Sequence, residues 1–497
     1  MTEEKISRRK LIVGIGSAIT ATGIGAFLVT NRDDSKPGTS GPENQGQTQA
    51  QPGAENIAEY GAEPNPNDPD LATARANLQA IKDAATAAGP GGAVYIPPGT
   101  YFVGQDDDTR NIDFGDSHPK GISWYGQSPT ESIVALTEHM DKDDSSHVLM
   151  YYGNEVDHGT VEFRDIQFFG NAANLDGLHG GETDRSSKAV ILTPNVRSGT
   201  FNCNNVLFKQ WFDGPIRGRI VDWNIDSCTF VENGSESRRR GDSGHSMEFS
   251  EGDATVKNTR ILRSGSYAID YRYGDGGITV ENCFVKGYGT GFLKMGAGTS
   301  FTVKNTFVRG NTPWIEENYP DKDDRGDEFK GRHFCYSQLS RNGKTKLLRL
   351  RNVQFRDCTH EGIKIRRPTK LDADNVSLIN ANAAGAGEAA ISAEGSKAEL
   401  ECLMAEKEIT VYDSNKFAIN VRSDAVGTGE IGTLYYNDTT KFGNLGGIRI
   451  VTSKRPERSC FPIPLESFFA GTSSEAISRE EIRSTCRGDS VLTDKKL

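Results

Sequence analysis

The chain has 497 residues, 25% of them charged, and its 57 Lys and Arg against 68 Asp and Glu give a formal charge of −11. Fifty-five glycines with 8% aromatics suit a β-rich chain full of turns, not a helical bundle or a wholly disordered polymer. The acidic balance excludes a general nucleic-acid binder, because phosphate binding draws on a basic surface.

At the amino terminus Arg8 and Arg9 precede an apolar stretch from Leu11 to Val29. A basic segment followed by an apolar one is the layout of an export signal. The same stretch would span roughly 28 Å as a helix, enough to anchor the chain in a membrane. The sequence Ser7-Arg8-Arg9 followed by Leu11 and Ile12 resembles the twin-arginine signal, which implies export of a folded protein to the cell surface or beyond. Whether residues 1–30 are cut off or kept as an anchor stays open. Residues 31–56 are rich in Gly, Pro, Gln and Ser and read as a flexible tether.

In residues 57–104 the run "LATARANLQAIKDAATAAG" has the apolar spacing of an amphipathic helix closed by Gly89. A solenoid needs such a cap over its exposed end.

Residues 105–425 carry the solenoid itself. "ITVENCFVKG" at 278–287 returns as "FTVKNTFVRG" at 301–310, and the phrase apolar-x-Asn-x-x-apolar recurs at Asp165, Asn205, Ser227, Asn258, Asn282, Asn305, Asn352 and Asn375. The steps are 40, 22, 31, 24, 23, 47 and 23 residues, so the unit is 22 to 24, occasionally doubled or carrying an insertion. Within each unit apolar and polar residues alternate with period two, as in "YAIDYRY" and "EGIKIRR". Three strands and their turns fit into ~23 residues, and such coils stack at ~4.8 Å. Asn at one recurrent turn tolerates the left-handed backbone and can hydrogen-bond from coil to coil. After residue 425, "GEIGTLYYND" and "GGIRIVTSKR" read as last strands and "SSEAISREEIRSTC" as a terminal helix.

The segment "YGA", the helix with Asn77 and Ile81, "GGAVYIPPGTYFV" and "ISWYGQSPTESIVAL" resembles the start of pectate-lyase-superfamily proteins. The resemblance covers about 50 residues. It implies an all-β, right-handed parallel β-helix with an amino-terminal capping helix, the fold of polygalacturonases, polysaccharide lyases and phage tailspikes. It does not select a reaction. Polygalacturonases of this fold carry Asn-Thr-Asp, Asp-Asp, Gly-His-Gly and Arg-Ile-Lys. Here only "SGHSMEF" around His245 and "GIKIRR" around Lys364 come near, so that hydrolase signature is absent.

Eight cysteines show no C-x-x-C and no zinc spacing. Those inside the repeats read as small buried apolar residues, and Cys460 with Cys486 is the pair to test for a disulfide.

Counting twelve residues on from the turn positions meets Arg217, Asp270, Lys294, Glu317 and Lys364, and strand alternation adds Glu248. Arg219, Arg272 and Arg366 lie two further along. Residues two apart share a face of a strand, so these columns form a charged strip with Glu248 and Asp270 in adjacent coils. Two close carboxylates either raise one pKa or recruit a cation, for which calcium is the candidate. A calcium-assisted lyase would use Glu248 and Asp270 as ligands and Arg272, Lys294 or Lys364 as base. Arg217, Arg366 and the loop residues Arg238, Arg239 and Arg240 are candidate anchors for an anionic sugar chain. The acidic loop around Asp321, Asp323, Asp324 and Asp327, with Trp314 and Tyr319, could wall the same groove. The bland alternative is that outward charges merely pair across coils.

The expected function is therefore that of an exported β-helix protein acting on polysaccharide, foremost a lyase on uronate-containing polymers. A noncatalytic carbohydrate-binding or adhesin-like solenoid and an atypical glycoside hydrolase are the alternatives. The sugar, the linkage and the oligomeric state are not legible.

Overall fold

The computed structural model describes residues 53–454 except 105–109, 115–116, 140–145, 154–155, 172–185, 194–195, 212–213, 220, 235–243, 313–330, 338–345, 367–368, 384–386, 388, 395–402, 413, 415, 423–424, 426–427, 429, 437–442, 444 and 447. Several expectations fall outside them: the signal with Arg8 and Arg9, most of the tether, Arg238 to Arg240, the acidic loop with Glu317, Cys460 with Cys486, and the terminal helix. No helix among the described residues is long and apolar enough to cross a membrane.

The capping helix α1 runs Leu71–Ala88. Asp70 begins it by accepting a 2.9 Å bond from the Thr73 amide, and Gly89 ends it. The buried face carries Ala74, Leu78, Ile81 and Ala85 onto the first coil. Asn77 is buried among them because all its amide atoms are used. It accepts from the Glu63 amide and donates to the carbonyls of Glu63 and Phe102, fastening helix to coil. The last residues of the expected tether are folded: Glu55–Asn56 pairs in parallel with Val94 and Tyr95, and Asn56 caps the turn that follows.

Each coil has three strands, as in Ser198–Asn204, Leu207–Lys209 and Ile216–Arg219. Every strand pairing is parallel and joins one coil to the next, which makes the molecule the right-handed parallel β-helix that the repeat predicts. From Ser300–Arg309 onward the first two strands run together as one long strand bent at its asparagine. The third strands form a separate sheet, 11-stranded among the described residues, from Arg110–Phe114 to Phe417–Val421.

The bend is where the sequence pointed. Asp165, Asn205, Ser227, Asn258, Asn282, Asn305, Asn352 and Asn375 all have φ between 48° and 57°. Side-chain amides link them upward: Asn282 donates to Asn258, Asn352 to Asn305 and Asn375 to Asn352, at 3.0 to 3.3 Å. A second left-handed column follows five or six residues later, at Asn171, Gln210, Glu232, Arg263, Asp357 and Asn380. Its mixed residue types hide it from a search for asparagine. Here Asn380 donates to Asp357, and Gln210 and Arg263 both reach Glu232.

The interior is stacked in columns, as with Phe168, Phe208 and Phe230, whose ring centroids lie 5.9 and 4.9 Å apart. Cys203, Cys228, Cys283, Cys335 and Cys358 are buried free thiols, as expected of small apolar positions. Lys346 brings a charged side chain into the buried part of the coil. Its ammonium, wholly buried, donates to the carbonyls of Met295 and Gly296, which closes the turn after a third-sheet strand.

Two outcomes follow. Asn352→Ala breaks two rungs and keeps a Cβ in left-handed backbone without the amide that offsets its cost, whereas Asn352→Gly breaks the same rungs but removes the Cβ. Denaturant unfolding should place the alanine variant lower by ~1 kcal/mol or more. Burial pushes the Lys346 ammonium down to about 8 from 10.5. The native state thus binds fewer protons than the unfolded state between those values, so this residue's contribution to stability rises with pH there, by at most ~1.4 kcal/mol per unit. Lys346→Met should remove that slope in unfolding curves recorded across the window.

Candidate functional site

The charged strip lies on the third sheet. In its strands Met247, Phe249, Ile269, Tyr271, Leu293 and Met295 point into the core, so Glu248, Asp270 and Lys294 face out. Register aligns Arg217, Glu248, Asp270, Lys294, Tyr336, Lys364 and Ser392 in one column across successive coils. The place the sequence reading gave to Glu317 belongs to Tyr336. The column two residues on is less regular. A register shift after Phe249 leaves Arg272 as an extra residue, and Ser250 pairs with the exposed Tyr273. Arg272 folds back beside the column, while Arg219 turns away to Glu251, at 3.1 Å.

The cluster centres on Asp270, which is 0% exposed. Its Oδ2 lies 3.0 Å from Lys294 Nζ, 3.0 Å from His245 Nε2 and 3.5 Å from Arg272 Nε. Glu248 meets Arg217 at 3.2 Å and Arg272 at 3.5 Å. Burial pushes the Asp270 carboxyl up, but His245, then Lys294 and Arg272, more than reverse this and hold it well below the usual range. Asp270 is therefore an anchor that stays ionised. Its Oδ1 and both ring nitrogens of His245 are buried and make no hydrogen bond, so the approach of Nε2 to Oδ2 is a charge contact whose angle is not that of a hydrogen bond.

Tyr267 completes the set. Its ring lies 5.3 Å from Lys294 Nζ and 5.8 Å from the His245 ring, over Gly291, where a Cβ would come within 2.7 Å of Tyr267 Cε1. Glycine makes the space for the phenol. Burial raises its pKa, with Tyr336 and Asp270 adding and Arg332 and Arg366 partly opposing. The hydroxyl thus stays protonated.

Cross-coil charge pairing alone does not describe this cluster. The other sheet shows what that looks like: Lys304 meets Glu281 at 2.9 Å with 39% and 21% of their side chains exposed. Such pairs are worth ~0.2 to 1 kcal/mol. A carboxylate withdrawn from water among three cationic or protonatable groups is a different investment.

Glu248 and Asp270 sit in register as expected, but their oxygens already face Arg217, Arg272, Lys294 and His245. A divalent cation would have to enter among three fixed positive charges. The group among the described residues whose ligand atoms could meet on one ion is Asp68, Glu138 and His139, far from this strip in the chain and largely exposed.

Lys364 and Arg366 form a separate cluster three coils on, roughly 14 Å away at ~4.8 Å per coil. Lys364 Nζ lies 3.3 Å from Glu361 and 3.5 Å from Glu394, and Arg366 bonds Glu394 and, at 2.8 Å, the Tyr336 hydroxyl. His333 stacks on Tyr336, and its Nδ1 donates to the Glu361 carbonyl, 2.9 Å away. Arg272 and Lys294 thus share one centre, and Lys364 does not.

The twelve-residue count missed Tyr267, His333 and Glu361, and passed over His245 as part of a broken motif. Each sits three residues before a strip residue: His245 before Glu248, Tyr267 before Asp270, Gly291 before Lys294, His333 before Tyr336, Glu361 before Lys364. That second, offset column was present in the sequence and could have been read from the same repeat.

No family model matches the chain, and no curated protein matches it. Among solved structures, it is similar to PfbA, a surface adhesin of Streptococcus pneumoniae, at 16% identity and TM-score 0.46 over 80% of this chain and 93% of that one. It is similar to a family 28 exopolygalacturonase of Yersinia enterocolitica at 11% identity and TM-score 0.43, over 82% and 79%. It is also similar to the catalytic unit of a GH87 α-1,3-glucanase of Streptomyces thermodiastaticus at 11% identity and TM-score 0.38, over 82% and 70%. These likenesses concern the coiled architecture and transfer no activity.

Proposed function

We propose that the protein is an exported polysaccharide lyase that removes the proton next to a uronate carboxylate and expels the glycosidic oxygen on the adjoining carbon. The observation that carries this reading is the buried set Asp270, His245, Lys294 and Tyr267. Neutralising the uronate acidifies that proton, and Lys294 and Arg272, held in place by Asp270, present positive charge for it. His245 Nε2 lies 3.0 Å from Asp270 Oδ2, and a proton kept on Nε2 by that carboxylate would leave the Nδ1 lone pair to take the substrate's proton. The carbon–hydrogen electrons form the double bond as the carbon–oxygen bond breaks, and the Tyr267 hydroxyl gives its proton to the departing oxygen. His245 and Tyr267 then exchange a proton to reset the site.

This reassigns the sequence candidates. Lys294 is ion-paired and therefore a charge donor to the substrate, not the base, and Arg272 serves the same role. A hydrolase reading is weaker, because a general acid needs a carboxyl raised in pKa and Asp270 is held low.

Incubation with polyuronates should produce ultraviolet absorbance from the unsaturated end group, and incubation in deuterium oxide should label the carbon next to the carboxylate. Tyr267→Phe and His245→Ala should each lower kcat by ~10² to 10⁴ with KM changed far less. Polymer binding with neither signal would replace the lyase by the noncatalytic solenoid. Glycosidic cleavage that yields only saturated ends would replace it by the hydrolase. Exhaustive treatment with a calcium chelator should leave the rate unchanged; loss of activity restored by calcium would reinstate a metal at Glu248 and Asp270.

A further inference from the structure

We propose that the cluster around Lys364, Arg366 and Ser392 is a second carboxylate-binding subsite, which makes the substrate a polymer with uronates in succession rather than isolated ones. The inference rests on the lyase reading for the identity of the sugar, but its own evidence lies elsewhere on the sheet.

Among the described residues, Lys364, Arg366 and Arg422 face only Glu361 and Glu394, so the cluster holds three positive charges against two negative. That excess suits an anion at the Lys364 cluster.

Ser392 supplies the independent sign. It follows Lys364 in the outward column, is 1% exposed, and its hydroxyl makes no hydrogen bond. A buried hydroxyl without a partner costs free energy unless something else satisfies it. Beside an unbalanced cation, a carboxylate oxygen is the fitting acceptor. Between the clusters lie the rings of Tyr267 and Tyr336, 6.5 Å apart at 27°, a continuous aromatic floor for sugar faces. The polymer therefore lies across the strands, along the axis of the helix, with its reacting unit at Asp270 and a later unit at Lys364.

The test uses the full chain carrying Tyr267→Phe, with calorimetry against a uronate dimer, a uronate hexamer and a neutral hexamer of the same backbone. The uronate hexamer should bind at least tenfold more tightly than the dimer, the gain expected from about one charge-assisted hydrogen bond. Arg366→Gln and Ser392→Asp should each abolish that gain and leave dimer affinity unchanged. The Ser392→Asp variant adds a repelling charge, so it reports even if loss of Arg366 disturbs packing. Persistence of the gain in both variants, or an equal gain for the neutral hexamer, overturns the proposal. Absence of binding by either uronate overturns it together with the lyase reading. Length-dependent binding by a wild-type protein that abstracts no proton overturns the lyase reading alone.

Discussion

The left-handed backbone at one corner of each coil is the constraint on which the rest of the molecule depends. L-residues reach that conformation at a cost of roughly 1–2 kcal/mol each, and asparagine, aspartate and serine reduce it by bonding locally. Once the corner is fixed at Asn258, Asn282 and Asn305, the strands on either side enter each coil at the same height. Side chains then superimpose from coil to coil, apolar ones inward and polar ones outward. The third sheet pairs in parallel from coil to coil in the same phase, so Asp270 meets Glu248 on one side and Lys294 on the other.

Register alone does not withdraw the cluster from water. What separates Asp270 from the exposed pairs of the other sheet is the removal of water, and the side chains that remove it come from the upstream end of each third strand. Tyr267 can lean over the strip only because Gly291 offers no Cβ. His245 reaches Asp270 from the preceding coil. Desolvation would neutralise a lone carboxylate, but surrounded by His245, Lys294 and Arg272 it stays charged and fixes their positions. The same logic governs Glu394, which burial pushes up while Lys364 and Arg366 bring it below its ordinary value.

The architecture was legible because its cause repeats. Period-two alternation and a recurring asparagine are local signals, and they gave the strands, the corner and the interleaving of Glu248 with Asp270. The second corner was not, because Gln210, Glu232, Arg263 and Asp357 share a backbone angle and no side-chain type. In the site, residues inside strands were found by counting, whereas His245 and Tyr267 lie at strand ends, where alternation no longer says which way a side chain points. The positive charge around the two carboxylates was hidden for a related reason: two carboxylates in register suggest a cation, but nothing in spacing reveals that Arg272 will bulge out and fold back beside them.

The variable steps between otherwise regular coils have a further consequence. The asparagine corner permits only a residue or two between its strands, so every insertion, such as that of the 31-residue step between Ser227 and Asn258, must emerge beside the third sheet. One wall of the molecule is thereby frozen by its own bonding while the opposite wall accepts extra chain at no penalty to the stack. A chain built this way can exchange the loops beside its third sheet, and the asparagine spine behind them would not register the change.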